Sequence, residues 1–199
     1  MKRILIFGDS FAADWSIKYN DYKGWPNLLS EKFAVTNIAQ AGVSEFKIHK
    51  QIMSIDINDF DIFIVSHTSP YRVPIRKHPV HGTDCLHSDA DLIYSDIEYH
   101  SKKIKNFFNF RLKTAINFYN YLYDEEFYTT TYKMFRNAIN ELLVDKKVIS
   151  VNNFHNKCEY FDKICLDFSY LYPNYKGLIN HFSEEGNQII FGKILSEIN

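Results

Sequence analysis

Four short apolar runs, Arg3–Phe7, Ala34–Ala39, Asp61–Ser66 and Lys147–Val151, alternate with amphipathic stretches along the chain, and that alternation leaves very few folds open. Runs of this length and β-branched character suit strands buried on both faces. Ile164–Phe168 is a weaker fifth. The intervening stretches carry apolar residues at helical spacing: Trp25 to Phe33, Ser44 to Ile55 (Phe46, Ile48, Ile52, Ile55), and Gln188 to Ile198 (Ile189, Ile190, Ile194, Leu195, Ile198). Parallel neighbours need long crossovers, which helices supply. The pattern therefore predicts an α/β protein: a doubly wound, parallel five-stranded sheet in a three-layer α/β/α sandwich.

The interval 67–146 is longer than one crossover needs, and reads as an insertion of loop plus helices. Its first part, Pro70 to Asp91, holds three of the five prolines and is read as loop. Beyond it Ile104, Phe107, Phe108, Leu112, Ala115, Ile116, Tyr119, Leu122 and Tyr123 share one helical face, and Tyr132, Phe135, Ile139, Leu142 and Leu143 repeat the pattern. Two crossover helices are expected, their aromatic stripe serving as core rather than as a stacking platform for bases or sugars.

With 199 residues and 46% hydrophobic content, the chain fits a single domain over 1–199 with one core. No apolar run approaches the roughly 20 residues of a membrane-spanning helix. Twenty-three basic against 24 acidic residues give no global field to steer a polyanion, so neither nucleic acid nor membrane is expected as a partner. Cys85, Cys158 and Cys165 are odd in number and lack CxxC spacing, which argues against a disulfide framework or a zinc knuckle and for a reducing compartment. The run Ile4–Phe7 behind Met1-Lys2-Arg3 is too short for a signal-peptide core, so a cytoplasmic setting is expected.

The chemistry concentrates at strand ends. The first strand runs into Gly8-Asp9-Ser10. Ligands of open parallel sheets gather at the carboxyl ends of strands, so Ser10 stands where a nucleophile would, although a serine there can equally cap a helix. Further on come Gly24-Trp25-Pro26-Asn27-Leu28-Leu29, the strand Ala34-Val35-Thr36-Asn37-Ile38-Ala39 and the turn Gln40-Ala41-Gly42-Val43-Ser44. Near the other end, His181 stands in Gly177-Leu178-Ile179-Asn180-His181-Phe182-Ser183-Glu184-Glu185-Gly186, ahead of the last helix. In these blocks the chain resembles the GDSL, or SGNH, hydrolases, over about half its length.

That resemblance implies a flavodoxin-like sheet and an ester hydrolase with Ser10 as nucleophile and His181 as general base. It also implies an oxyanion site built from the N–H groups of Ser10 and Gly42. An imidazole with an ordinary pKa near 6.5 can take the serine proton and return it at neutral pH. Two departures stand out. The family's aspartate three residues before the histidine is replaced by Leu178, leaving a Ser10–His181 dyad or another acid such as Asp167. The family's Gly-x-Asn motif after the third strand is replaced by His67-Thr68-Ser69-Pro70-Tyr71-Arg72, so Thr68, Ser69 or Arg72 is the expected oxyanion donor. Arg72 also suits an anionic substrate group, and Asp9 a binding or orienting role.

The expected substrate is a small-molecule or glycan ester, such as an O-acetyl group. An acyltransferase with the same residues, or a non-catalytic binding module of the same fold, is the alternative. No cofactor is expected, and the oligomeric state is open. The grouping His67, His78, His81, Asp84, Cys85, His87, Asp89 and Asp91 matches no standard metal spacing. It is read as a polar loop over the site, with no metal.

Overall fold

Four of the runs become β1 (Arg3–Gly8), β2 (Ala34–Asn37), β3 (Ile62–His67) and β4 (Lys147–Asn152), and the weak fifth shortens to β5 (Cys165–Asp167). The computed structural model describes residues 2–81, 85–103, 109–154, 158–159, 162–177 and 181–199. The strands form one sheet in the order 2-1-3-4-5, every pair parallel. Six helices accompany it among the described residues: α1 (Trp25–Ser30), α2 (Glu45–Met53), α3 (Tyr94–Lys103), α4 (Phe110–Tyr121), α5 (Glu125–Leu142) and α6 (Glu184–Ile198). This is the three-layer, flavodoxin-like arrangement. No described helix is long and apolar enough to cross a membrane.

The period of two along each strand sorts the core into two halves. Ile4, Ile6, Ile64, Ile149 and Val151 face α1 and α6, packing with Trp25, Leu29, Ile190 and Ile194. Leu5, Phe7, Phe63, Val65 and Val148 face the opposite layer, with Ile48 and Ile52 of α2 and Ile139 of α5. Since alternate side chains are fully claimed by different layers, a one-residue slip would exchange the two cores.

The insertion departs from expectation. Asn109 caps α4, its Oδ1 accepting the Leu112 N–H at 3.1 Å, so α4 begins at Phe110 rather than running from residue 104. Ile104, Phe107 and Phe108 lie outside the described residues. Among the insertion's described helices, α5 alone packs in the sheet's core cluster. Leu112 and Ala115 of α4 pack instead with Ile97 of α3 and with Val73 and Leu92, in a satellite cluster beside the main core. Leu122, expected on the inner face, is 74% exposed. The described part of the α4 stripe thus has the right period, but it packs in the satellite cluster rather than on the sheet.

The cysteines also differ from expectation: Cys158 and Cys165 form a disulfide, and Cys85 is free and exposed. The bridge ties the segment before β5 to the strand itself. Asn152, at the end of the neighbouring β4, directs its amide at both sulfurs.

Candidate functional site

Strand order reverses at β1, which has β2 on one side and β3 on the other, so a crevice opens beyond the carboxyl ends of β1 and β3. Gly8 closes β1 there with φ +140°, and a Cβ at this position would lie 2.3 Å from Ser66 O. Only glycine lets the chain pass so close to β3.

From Gly8 onward the loop is pinned through five successive carbonyls. Gly8 O accepts from Gln40 N (3.0 Å) and Gln51 Nε2 (3.2 Å), and Asp9 O from the N–H groups of Ala12 and Ala13 (3.1 Å each). Ser10 O accepts from Trp15 Nε1 (2.7 Å), Phe11 O from Trp25 Nε1 (2.9 Å) and Ala12 O from Asn37 Nδ2 (2.8 Å). Trp25 and Asn37, read from the sequence only as parts of a motif, are thus clamps on the serine loop. Gln51 was not singled out from the sequence. Its place on the inner side of α2 offers no local signal, because a glutamine one turn after Ile48 and next to Ile52 looks like a surface residue.

The Ser10 and Gly42 N–H groups donate to no acceptor among the described residues, although the main chain around each is held. Gly42 has φ +80°, and its carbonyl accepts from Asp91 N (2.9 Å) and Arg72 Nη1 (3.1 Å). Arg72 Nε donates in turn to Thr68 Oγ1 at 2.8 Å. The Arg72 fork therefore fixes the Gly42 turn to the end of β3, a tertiary role that sequence reasoning did not assign. Ser69 is buried, and its Oγ accepts the Tyr71 N–H at 3.4 Å, as in a turn.

His181 is 7% exposed, with its ring 4.6 Å from that of Trp15 and 5.0 Å from that of Phe11. Those residues flank Ser10: one follows it in sequence and the other holds its carbonyl. Ser10 Oγ itself has no hydrogen-bond partner among the described residues, so what links the serine to His181 is Trp15 and Phe11 rather than a hydrogen bond. Leu178 lies outside the described residues. Asp167 is exposed, and its Oδ1 accepts the Ser169 N–H at 2.8 Å, a local turn just ahead of the 3-10 helix Ser169–Leu171, rather than bonding His181.

Asp9 is fully buried beneath the serine. Its Oδ1 accepts the Phe11 N–H (3.1 Å) and the Ser66 hydroxyl (2.8 Å), and Ser66 Oγ accepts from Asn153 Nδ2 (3.1 Å). Asn153, just beyond β4, was also missed; its only signal is a polar pair, Asn152-Asn153, at a strand's carboxyl end. Burial, partly offset by Arg72, pushes the Asp9 pKa from 3.8 up to about 7. The folded protein then retains a proton that the unfolded chain releases above pH 3.8. Stability from this group is therefore full at low pH, falls between about 4 and 7, and stays low above that window. At about 1.4 kcal/mol per unit the loss is roughly 4 kcal/mol. Asp9→Asn should flatten this slope, as read by urea unfolding at about pH 5 and about pH 8; a variant with the wild-type slope would exclude Asp9 as its source.

The histidine-rich grouping is taken apart by the fold. His67 is buried inside the sheet layer, with Nδ1 2.7 Å from Glu45 Oε1 and Nε2 3.3 Å from Ser150 Oγ. Asp91 is also buried, accepting the N–H groups of Ser44 (2.9 Å) and Ile75 (2.8 Å) and pairing with Lys47 at 2.7 Å. Asp84 lies outside the described residues. His78 and His81 instead meet Asp96 of α3, and His78 is pushed down to about 4 by burial and by His81. Two of the loop's described residues pack on the candidate site: Ala41 N–H donates to Leu86 O at 2.9 Å, and His87 lies edge-on to Trp15 at 5.7 Å. Neither a scan against protein-family models nor a search of the curated proteins returns a match.

Proposed function

We propose that the protein is a serine ester hydrolase that works through an acyl-enzyme on Ser10. The observation that carries this reading is the Gly8–Ala12 loop: every carbonyl is anchored, while the Ser10 and Gly42 N–H groups are left to donate. Donors held in place before charge develops stabilise an oxyanion without reorganisation, which is the largest single contribution in acyl transfer. A loop that merely capped a helix would turn the Ser10 N–H or hydroxyl inward.

In the proposed reaction Ser10 Oγ attacks the acyl carbon and its proton passes to His181. The carbonyl oxygen becomes the oxyanion facing the Ser10 and Gly42 N–H groups. Collapse breaks the bond to the alcohol, which leaves with the proton from His181. Water then repeats the sequence, returning the carboxylic acid and free Ser10. The Trp15 and Phe11 rings keep His181 largely dry and limit its rotation. Arg72 acts through the Gly42 turn rather than on the reacting oxygen. A small-molecule or glycan O-acetyl ester is the proposed substrate class, and a sugar hydroxyl in place of water would give the acyltransferase version. A cytoplasmic setting remains part of the proposal, with a free-thiol count on protein from its native cells as its check: three thiols there, against one if the Cys158–Cys165 bridge persists.

The deciding experiment is fluorophosphonate labelling followed by peptide mass spectrometry. Adduct on Ser10 supports the hydrolase. A folded protein that neither labels nor cleaves short aryl esters is a binding module.

A further inference from the structure

The densest set of metal-ligating side chains in the described structure lies where the loop after β3 meets α3. His78, His81 and Asp96 each bring one ligand atom within 4.8 Å of the others. His81 Nε2 is 3.0 Å and His78 Nε2 3.6 Å from the same oxygen, Asp96 Oδ2, while His100 Nε2, one turn along α3, is 3.4 Å from Oδ1. Two metal–ligand arms of about 2.1 Å at the tetrahedral angle span about 3.4 Å, so these separations suit ligand atoms around one ion. The His78 side chain is 1% exposed, and its Nε2 faces the carboxylate with no hydrogen-bond partner among the described residues. Sequence spacing could not reveal this set, because Asp96 and His100 come from a helix beyond the loop.

We propose that His78, His81 and Asp96 bind a divalent transition metal, Zn2+ being the best match to two imidazoles and a carboxylate, with His100 steadying the second carboxylate oxygen. The ion fastens the loop to α3 beside the candidate active site. It is not a reactant there: His81 stacks on His87 at 5.2 Å, His87 meets Trp15, and Trp15 meets His181, so two further rings separate the ligand His81 from His181. Coordination requires one local change. The N–H groups of Val80 and His81 both point at His78 Nδ1 (3.2 and 3.0 Å), which suits a lone pair on Nδ1 and the proton on Nε2. Binding through Nε2 moves that proton to Nδ1, so both amides lose their acceptor and the 78–81 turn re-forms.

The test uses full-length, tag-free protein stripped with EDTA and dialysed. Titration with Zn2+ by calorimetry should give one ion per chain, and Co2+ should give the strong visible bands of a tetrahedral site. His81→Gln and Asp96→Asn should each weaken Zn2+ binding by about a hundredfold or more, with circular dichroism confirming the fold. The Val80 and His81 amide resonances should shift on Zn2+ addition. No stoichiometric uptake by the wild type, or wild-type uptake by both variants, would overturn the site. If either variant fails to fold, the amide shifts in the wild type decide. None of these readouts needs turnover, so failure here and failure of Ser10 labelling are separate results.

Discussion

Ser10→Ala is expected to lower hydrolysis of p-nitrophenyl acetate by at least about a thousandfold and to abolish fluorophosphonate labelling, with thermal unfolding unchanged. The fold should be indifferent because Ser10 Oγ holds nothing among the described residues, while the carbonyls of the loop do the anchoring. His181→Ala should cost nearly as much, and the double variant little more than either alone, since a nucleophile and its base act as one unit. Asp167→Asn should leave the rate within about tenfold of wild type, because that carboxylate is engaged by the Ser169 N–H. Additive losses for Ser10→Ala and His181→Ala would break the proposed pairing. Full activity in Ser10→Ala would remove the serine mechanism altogether.

The second large effect is on stability, and it sits between α5 and the chain just ahead of β5. Arg136 of α5 is completely buried and forms a close ion pair with the equally buried Asp162. Arg136 also donates to Tyr132 OH at 3.0 Å. Asp162 accepts from Ser150 Oγ (3.2 Å), Asn140 Nδ2 (3.2 Å) and the Glu159 N–H (3.0 Å). Removing the guanidinium strands a carboxylate already stripped of water, so Arg136→Ala should cost about 3–5 kcal/mol in urea unfolding. Arg136→Met combined with Asp162→Asn should cost less than Arg136→Ala alone, because no charge is then left unpaired in the interior. A loss below about 1 kcal/mol for Arg136→Ala would mean that water reaches the pair.

How much of this was legible beforehand depends on the range of the interaction involved. Strand positions were readable because burial on both faces writes itself into consecutive residues: Ile4 to Phe7 are all apolar since alternate ones face different helices. Gly8 and Gly42 were readable because tight backbone geometry selects glycine locally. His181 and Ser10 were candidates from motif order, yet their relation through Trp15 and Phe11 was not. Asp167 was available as a substitute acid on the sequence, and the fold uses it in a local turn with the Ser169 N–H.

The sequence by itself determined the strand segments and the helices that cover the sheet outside the insertion, and hence the α/β class, because local periodicity records which side of each element is dry. Tertiary structure alone decided the partners. The Glu45–His67 pair, the Arg72 bridge to Gly42, the Cys158–Cys165 bond and the meeting of His78 and His81 with Asp96 join residues from different elements or turns. A polar side chain's need for a partner is written in its chemistry, but which group meets that need depends on where packing carries the chain, and no local pattern encodes that.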